Sequence, residues 1–319
     1  MGPDNAVGYL NASIAYMGLN RPEEAKVILN SAEQRNVGGH LTHYILSLIA
    51  IAQGDRVAQE REDAFIKGDA EGELRLVARD ARLAQSRGQV KHARELFTRA
   101  RQMAQRLNLK ESAATAIVDK AGIAAAFGYR AEAAKGATAA LAISRGPSVV
   151  YWAARTLALA GEANKAETLI AELAARRPED VIVRFVEAPE VKAINEINRG
   201  NPAKAIELLQ TATPYEGHLW GIGVRSTRGN AYLKAGRGKE AAHEFQKILA
   251  MAPSLAIGLR APNGAVVSTA QLGLARAYAL QGDRAKSRMA YQDFLALWKD
   301  ADPEIPILQA AKAEYAKLK

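Results

Sequence analysis

Apolar and small residues recur three and four positions apart along most of the chain, which is the period of an amphipathic α-helix. The stretch NAYLKAGRGKEAAHEFQKILAMAP, from Asn230 to Pro253, shows this pattern clearly. Two glycines interrupt a first helix, and a second helix then places Ala241, Phe245 and Ile248 on one side. Because proline cannot continue a helix, Pro253 is expected to end the second one. The stretch therefore predicts a helical hairpin.

The same hairpin pattern recurs along the chain. A turn residue returns every 33 to 46 positions, in the series Asn20, Gly54, Gly88, Gly128, Gly161, Gly200, Gly236 and Gly282. Five positions after each turn the residues are Ala25, Gln59, Ala93, Ala133, Ala166, Ala205, Ala241 and Ser287. Four positions later stands a residue that is bulky in most copies, in the series Leu29, Asp63, Phe97, Ala137, Ile170, Leu209, Phe245 and Tyr291. Asp63 and Ala137 match this position poorly, so the second and fourth copies depart most from the pattern.

This spacing resembles the tetratricopeptide repeat (TPR), in which a glycine and a tyrosine precede the turn and an alanine, a phenylalanine and a proline follow it. Here Arg225 and Arg228 replace the tryptophan and leucine that usually open the pattern. The resemblance implies an all-α, TPR-like, right-handed α-solenoid, in which each hairpin packs on its neighbours. We expect one solenoid over residues 1–319, with about eight hairpins and a C-terminal capping helix. The expected units are 5–37, 40–72, 73–110, 111–146, 147–182, 186–217, 220–253 and 265–300, followed by a cap at 304–318.

The segment YQDFLALWKDADPEIPIL, from Tyr291 to Leu308, resembles the C-terminal end of TPR-containing Ser/Thr protein kinases of some soil bacteria. The kinase motifs themselves are absent, because the sequence has no Gly-rich loop, no catalytic His-Arg-Asp and no Asp-Phe-Gly. The resemblance implies a non-catalytic sensor, docking or scaffold region of a larger kinase polypeptide. It also implies a periplasmic location, whereas without it we expect a cytoplasmic protein.

The sequence offers little chemistry of its own. It contains no cysteine, and its five histidines are scattered. HEFQK resembles the start of a zinc-protease helix, but Lys247 stands where the second histidine is required. We therefore expect no catalytic residues, no cofactor and no metal site. The longest apolar run, YILSLIAIA, is too short to span a bilayer, so we expect no membrane insertion by this chain.

The formal net charge is +9, and residues 71–110 hold ten Lys or Arg against four Asp or Glu. The TPR resemblance implies that the first helix of each hairpin lines a concave groove. The positions expected on this inner face are Leu10, Ile14, Tyr44, Leu48, Arg75, Arg79, Arg82, Val118, Tyr151, Arg155, Ser226, Asn230, Leu272 and Arg276. Those expected to bind a peptide are Arg75, Arg79, Arg82, Tyr151, Arg155, Asn230 and Arg276.

Arg75, Arg79 and Arg82 are spaced by four and three positions, so they are predicted to point one way from a single helix. Arginine in such an array suits the carboxylates of an acidic or C-terminal peptide. A protein-interaction module that binds a protein or peptide partner is therefore the favoured function. The alternative is a basic helical-repeat protein that binds nucleic acid, since related repeats read RNA. The clustering of basic residues in one unit argues against nucleic-acid binding. A third interpretation is that the arginines form ordinary solvated surface.

Overall fold

The computed structural model of the chain describes residues 6–216, 221–251 and 264–318. Helices make up 82% of these residues, and no β-strand occurs among them. The all-α prediction is therefore confirmed. None of the helices in this part of the chain is long and apolar enough to cross a membrane. Pro253, which is expected to end a helix, lies outside the described residues.

Within the described residues, the helices form eight pairs, here called units 1 to 8, followed by a terminal helix. The pairs are α1 (Ala6–Gly18) with α2 (Pro22–Gln34), α3 (His40–Gln53) with α4 (Arg56–Ile66), α5 (Ala70–Ser86) with α6 (Val90–Arg106), α7 (Lys110–Phe127) with α8 (Arg130–Leu141), α9 (Pro147–Ala160) with α10 (Ala163–Arg176), α11 (Ala188–Asn198) with α12 (Pro202–Leu209), α13 (Gly221–Lys234) with α14 (Gly238–Ala250), and α15 (Gly264–Leu280) with α16 (Arg284–Leu297). The terminal helix is α17 (Pro306–Ala316).

Each predicted turn residue lies between the two helices of its unit. Asn20 and the seven turn glycines all have positive φ angles, from 58° at Asn20 to 98° at Gly128. A left-handed residue at this place ends the first helix and reverses the chain, which glycine does without steric cost. The turn positions predicted from the sequence are therefore confirmed.

The small residues after each turn are buried where helices meet. Ala25, Ala133, Ala166, Ala205 and Ala241 have no exposed surface. In unit 7 the ring of Phe245 lies directly against the backbones of Gly229 and Gly273, where a Cβ atom would come within 3.0 Å of it. The small residues thus bring helix backbones close together, and the bulky residue fills the remaining space.

The bulky position of unit 2 shows why the pattern breaks there. Asp63 holds this position, and both of its carboxylate oxygens accept hydrogen bonds from Arg79 of α5, at 2.6 and 2.9 Å. Ser47 of α3 donates a further bond to Asp63. An ion pair between units thus stands where the other units place an apolar contact.

The last unit folds back on the middle of the chain. α15 packs against α5, and residues of α15, α16 and α17 share one apolar core with α5, α6 and α7. Trp298 lies between Phe127 and Phe294, and its indole Nε1 donates to the carbonyl oxygen of Ser86. This contact closes the array of units into a ring, which the repeat pattern does not predict.

The loop after α16 completes this closure contact, which we define as residues 86–91 against residues 298–304. The amide of Asp302 donates to the carbonyl of Gly88, and the carboxylate of Asp302 accepts from the amide of Lys91. The Lys91 ammonium pairs with Glu304 at 2.7 Å. Backbone and side-chain bonds therefore join unit 3 to the loop before α17.

The terminal helix covers the apolar side of the last unit. Leu308 and Ala311 are buried, and Ile307, Tyr315 and Leu318 pack partly buried against the same core. Its Glu314 bonds to Arg276 of α15 and Tyr291 of α16. The arrangement suits the cap predicted from the sequence.

Candidate peptide-binding surface

Among the described residues, the first helices of the units line an N-terminal and a C-terminal cavity. The N-terminal cavity has a volume of about 690 Å³ and is lined mainly by α1, α3, α5, α7 and α9. The C-terminal cavity has a volume of about 750 Å³ and is lined mainly by α7, α9, α11, α13 and α15. Both volumes fall in the range of ordinary ligand sites, roughly 300 to 1,000 Å³. The closure contact makes the second cavity possible, because it brings α15 opposite α7.

Six of the seven predicted peptide-binding residues line these cavities. Arg75, Arg82 and Tyr151 line the N-terminal cavity, and Arg155, Asn230 and Arg276 line the C-terminal cavity. The seventh residue, Arg79, lines neither.

The other positions expected on the inner face fall into two groups, those that line a cavity and those that are buried in the apolar cores. Leu10, Ile14, Tyr44 and Ser226 line a cavity, as expected. Leu48, Val118 and Leu272 are at most 2% exposed and belong to the apolar cores instead.

Arg79 does not share an exposed face with Arg75 and Arg82, so that prediction is wrong. It is 4% exposed, and its guanidinium binds Asp63, Ser47 and its neighbour Asp80. Burial by itself would lower the pKa of Arg79, but the bonds to Asp63 raise it above its usual value. The physical reason is the polar residue at the bulky position of unit 2, which draws the arginine into the interface between units.

Arg82 is also bound within the chain. Its Nε and Nη2 atoms both donate to one carboxylate oxygen of Asp119 on α7, at 3.0 and 2.7 Å. Asp119 is fully buried, and its second oxygen has no hydrogen-bond partner among the described residues. Burial raises the pKa of Asp119, and the nearby Arg82 opposes that rise. Arg82 is therefore largely neutralised before any ligand arrives.

Arg75 differs from both of its neighbours. Its side chain is exposed at the N-terminal cavity, and it makes no hydrogen bond or ion pair within the described part of the chain. Of the three predicted arginines of α5, it alone keeps its guanidinium available for a ligand.

A buried glutamate on α11 joins three first helices. Glu190 has no exposed surface, and it accepts hydrogen bonds from the Tyr151 hydroxyl, Arg155 Nε and the Thr227 hydroxyl. A π-helical segment, Val183–Glu187, leads directly into α11 just before Pro189. Proline lacks an N–H and its ring disturbs the preceding turn, which fits an irregular helix at this place. Glu190 is not among the residues predicted from the sequence, although it follows Arg155 by about one repeat length.

The same combination of residues recurs at the end of the chain. Glu314 accepts two hydrogen bonds from Arg276, both at 2.9 Å, and one from the Tyr291 hydroxyl at 2.7 Å. Burial and the bond to Glu314 raise the pKa of Tyr291. Burial would raise the pKa of Glu314, but its bonds to Arg276 and Tyr291 lower it below the ordinary value.

These contacts reveal an interunit ladder of charges. Arg82 and Arg155 each bind a carboxylate on the first helix of the next unit, 37 and 35 residues later, and Arg276 binds Glu314 on the terminal helix, 38 residues later. The separations are close to one repeat, so each arginine reaches the equivalent face of the next helix. The ladder holds the inner surface together and neutralises most of the predicted peptide-binding arginines.

Two residues of α13 keep polar groups available in the C-terminal cavity. Asn230 and Lys234 are one helical turn apart, both are exposed, and both line the cavity. Neither makes a hydrogen bond or an ion pair with any described residue. Lys234 is the second functional candidate that the sequence analysis missed, and its i, i+4 spacing from Asn230 is the signal that identifies it.

No group of three or more potential metal ligands occurs among the described residues. No known family model matches the chain, and no curated protein is similar to it. These comparisons therefore give no support to the resemblance to bacterial kinases. Among solved structures, the TPR domain of P58(IPK) aligns over 99% of this chain and 89% of that domain, with 13% sequence identity and a TM-score of 0.31. An identity and a TM-score this low transfer no function to this chain.

Proposed function

We propose that the chain is a non-catalytic protein-interaction scaffold that binds an acidic peptide in its C-terminal cavity. The observation that carries this proposal is the pair Asn230 and Lys234, whose side chains line the cavity without a partner in the described part of the chain. An amide and an ammonium group one turn apart offer several hydrogen-bond donors to a carboxylate.

The charges around the cavity support an anionic ligand. Arg155 is bound to Glu190, and Arg276 is bound to Glu314. Lys234 is then the charge without a counterion among the described residues that line this cavity. A carboxylate placed beside it gains an ion pair, whereas a cationic ligand meets repulsion.

The walls of the cavity suit a peptide as well as a single carboxylate. Leu159, Ile194, Ile197 and Leu233 contribute apolar surface from three successive first helices. An elongated ligand that follows these helices would bury apolar side chains along them while its acidic group reaches Lys234. This combination of apolar wall and few polar groups is typical of binding sites.

The nucleic-acid alternative rests on the basic residues of unit 3. Arg99, Arg101 and Arg106 are exposed on α6, which is a second helix and contributes little to the cavities. A phosphate backbone would therefore bind outside the cavities. The two functions make different predictions for the same variants.

The test uses fluorescence anisotropy with labelled short peptides that end in Asp-Asp or in Lys-Lys, and with a single-stranded oligouridylate. We expect the acidic peptides to bind, and added salt to weaken this binding because it screens exposed charges. The double variant Asn230→Ala/Lys234→Gln should lose this binding, and Lys239→Gln, an exposed lysine of α14, should retain it. Acidic peptides that fail to bind, or that bind the double variant normally, would contradict the proposal. Oligouridylate binding that survives in the double variant would support the nucleic-acid alternative.

The parent protein is a separate part of the proposal. The resemblance of Tyr291–Leu308 supports a C-terminal docking region of a bacterial Ser/Thr protein kinase, which would place the scaffold in the periplasm. The reading frame upstream of residue 1 tests this, because it must then encode a kinase domain and a membrane-spanning helix.

A further inference from the structure

The N-terminal cavity is chemically distinct from the C-terminal one. Its wall is built from aliphatic side chains of α1 and α3, namely Leu10, Ile14, Leu41 and Ile45. Trp152 of α9 supplies an aromatic ring to the same space. A volume of about 690 Å³ with such a wall suits the apolar body of a small molecule.

One polar group that lines this cavity has no hydrogen-bond partner among the described residues. Tyr44 is 5% exposed and lines the cavity, yet its hydroxyl makes no hydrogen bond within the described part of the chain. A hydroxyl on a largely buried side chain normally finds a hydrogen-bond partner. The hydroxyl of Tyr44 is therefore available to a ligand in this cavity.

The charges beside Tyr44 indicate the sign of that ligand. Burial raises the pKa of Tyr44; the nearby arginines Arg82, Arg79 and Arg75 oppose that rise, and Asp80 adds to it. Arg79 and Arg82 already bind aspartates, whereas Arg75 has no ion pair among the described residues. Arg75 and the Tyr44 hydroxyl thus remain as donors that face one cavity.

The acidic residues of the cavity disfavour a ligand with two negative charges. Glu71 lies one turn before Arg75 and also lines the cavity without an ion pair in the described part. Glu111 lines the other side and accepts a hydrogen bond from Ser144. A phosphate dianion would meet repulsion from these two carboxylates, whereas one carboxylate matches Arg75 and the Tyr44 hydroxyl.

We infer that the N-terminal cavity binds a small carboxylate with an apolar body. Its carboxylate accepts hydrogen bonds from Arg75 and the Tyr44 hydroxyl, and its body lies against the leucine and isoleucine wall. This site is separate from Asn230 and Lys234, so it does not depend on the proposed peptide function.

Isothermal titration calorimetry of the whole chain with 4-phenylbutyrate tests the inference. Propionate, which lacks the aromatic body, and 4-phenylbutylamine, which has the opposite charge, are the matched ligands. We expect 4-phenylbutyrate to bind and the other two to bind at least about tenfold more weakly. The amine loses the charged hydrogen bond to Arg75, and propionate loses the burial of the aromatic body. Equal binding of the acid and the amine would overturn the inference, because it would show apolar contact alone.

Two variants locate the site. Tyr44→Phe removes the hydroxyl and keeps the ring, and Arg75→Gln removes the charge from an exposed side chain, so both should fold. Each should weaken 4-phenylbutyrate binding by about tenfold. Arg87→Gln, which neutralises an exposed arginine beyond the end of α5, and Asn230→Ala/Lys234→Gln should leave it unchanged. Unaltered binding in both Tyr44→Phe and Arg75→Gln, with thermal melting as in the wild type, would refute the site.

Discussion

Tyr151 and Arg155 lie one turn apart on α9, and both bind the same buried carboxylate, that of Glu190 on α11, at 2.6 and 2.8 Å. Tyr151 faces the N-terminal cavity and Arg155 faces the C-terminal cavity. Burial, and then the negative charge of Glu190, raise the pKa of Tyr151 well above its usual value, so it stays a neutral hydrogen-bond donor. Glu190 and the side chains of Tyr151, Arg155 and Thr227 that bind it, here called the Glu190 junction, therefore form part of the wall between the two cavities.

Replacing Glu190 with Gln should destabilise the protein strongly. The change leaves the Arg155 guanidinium buried without a counterion, which costs about 3–5 kcal/mol in comparable buried pairs. Urea unfolding should show a lower midpoint. Glu60→Gln, in an exposed pair with Arg56, serves as the control and should change the free energy of unfolding by less than about 1 kcal/mol. Equal midpoints for the two variants would show that the junction carries no structural role.

Replacing Asp63 with Asn should destabilise the protein in a pH-dependent way. Burial would raise the pKa of Asp63, but its hydrogen bonds from Arg79 and Ser47 lower it below the ordinary value. Because the pKa is lower in the folded state, the ionised aspartate stabilises the fold above about pH 4, and this contribution is lost as the pH falls through the folded-state pKa. At pH 7 the free energy of unfolding of the wild type should exceed that of Asp63→Asn by about 3 kcal/mol, because the substitution breaks a buried ion pair.

The difference in the free energy of unfolding between the wild type and Asp63→Asn should become smaller as the pH falls below about 4. Denaturant unfolding at a series of pH values measures it. A gap that stays constant down to pH 2 would mean that the Asp63 carboxylate does not supply the stability assigned to it.

Replacing Ala241 with Leu should overpack unit 7. Ala241 has no exposed surface, and Phe245, one turn on, is already pressed between Gly229 and Gly273. We expect the free energy of unfolding to fall by about 1–3 kcal/mol, which thermal melting measures. Ala250→Leu adds the same side chain to an exposed position of α14 and should melt like the wild type. Indistinguishable melting of the two variants would argue against close packing at Ala241.

The repeat pattern predicts the local fold well and the long-range contacts poorly. The turns at Asn20 and the seven glycines follow from spacing alone, because a left-handed turn residue and a small packing residue are local requirements. The burial of Arg79 could not be read from its own helix, since it depends on Asp63 of the preceding unit. Asp63 was visible as a poor match, and that mismatch was the available signal of an ion pair.

The candidate site shows the same difference between local features, which the sequence predicts, and long-range contacts, which it does not. Asn230 and Arg276 reach a cavity as expected, because helix periodicity fixes which face they occupy. The carboxylates that bind Arg155 and Arg276 lie a repeat away, and only the packing of successive first helices brings them together. The closure contact depends on the curvature of the whole array of units, and the sequence of a single repeat does not predict that curvature.

The central claim is that the chain closes on itself, so that units 4 to 8 surround the C-terminal cavity. Lys91 and Glu304 form an ion pair across the closure contact. The chain has no cysteine, so a Lys91→Cys/Glu304→Cys variant carries two thiols that can be joined without background reaction. Lys91→Cys/Lys192→Cys, with its second thiol on the exposed face of α11, is the control.

Reaction with the short thiol crosslinker bismaleimidoethane, followed by electrophoresis and peptide mass spectrometry, measures the result most directly. We predict a rapid intramolecular crosslink between positions 91 and 304 in the monomer, and none in the control pair. A Lys91→Cys/Glu304→Cys protein that is not crosslinked, or that is crosslinked only between molecules, would contradict the closed ring.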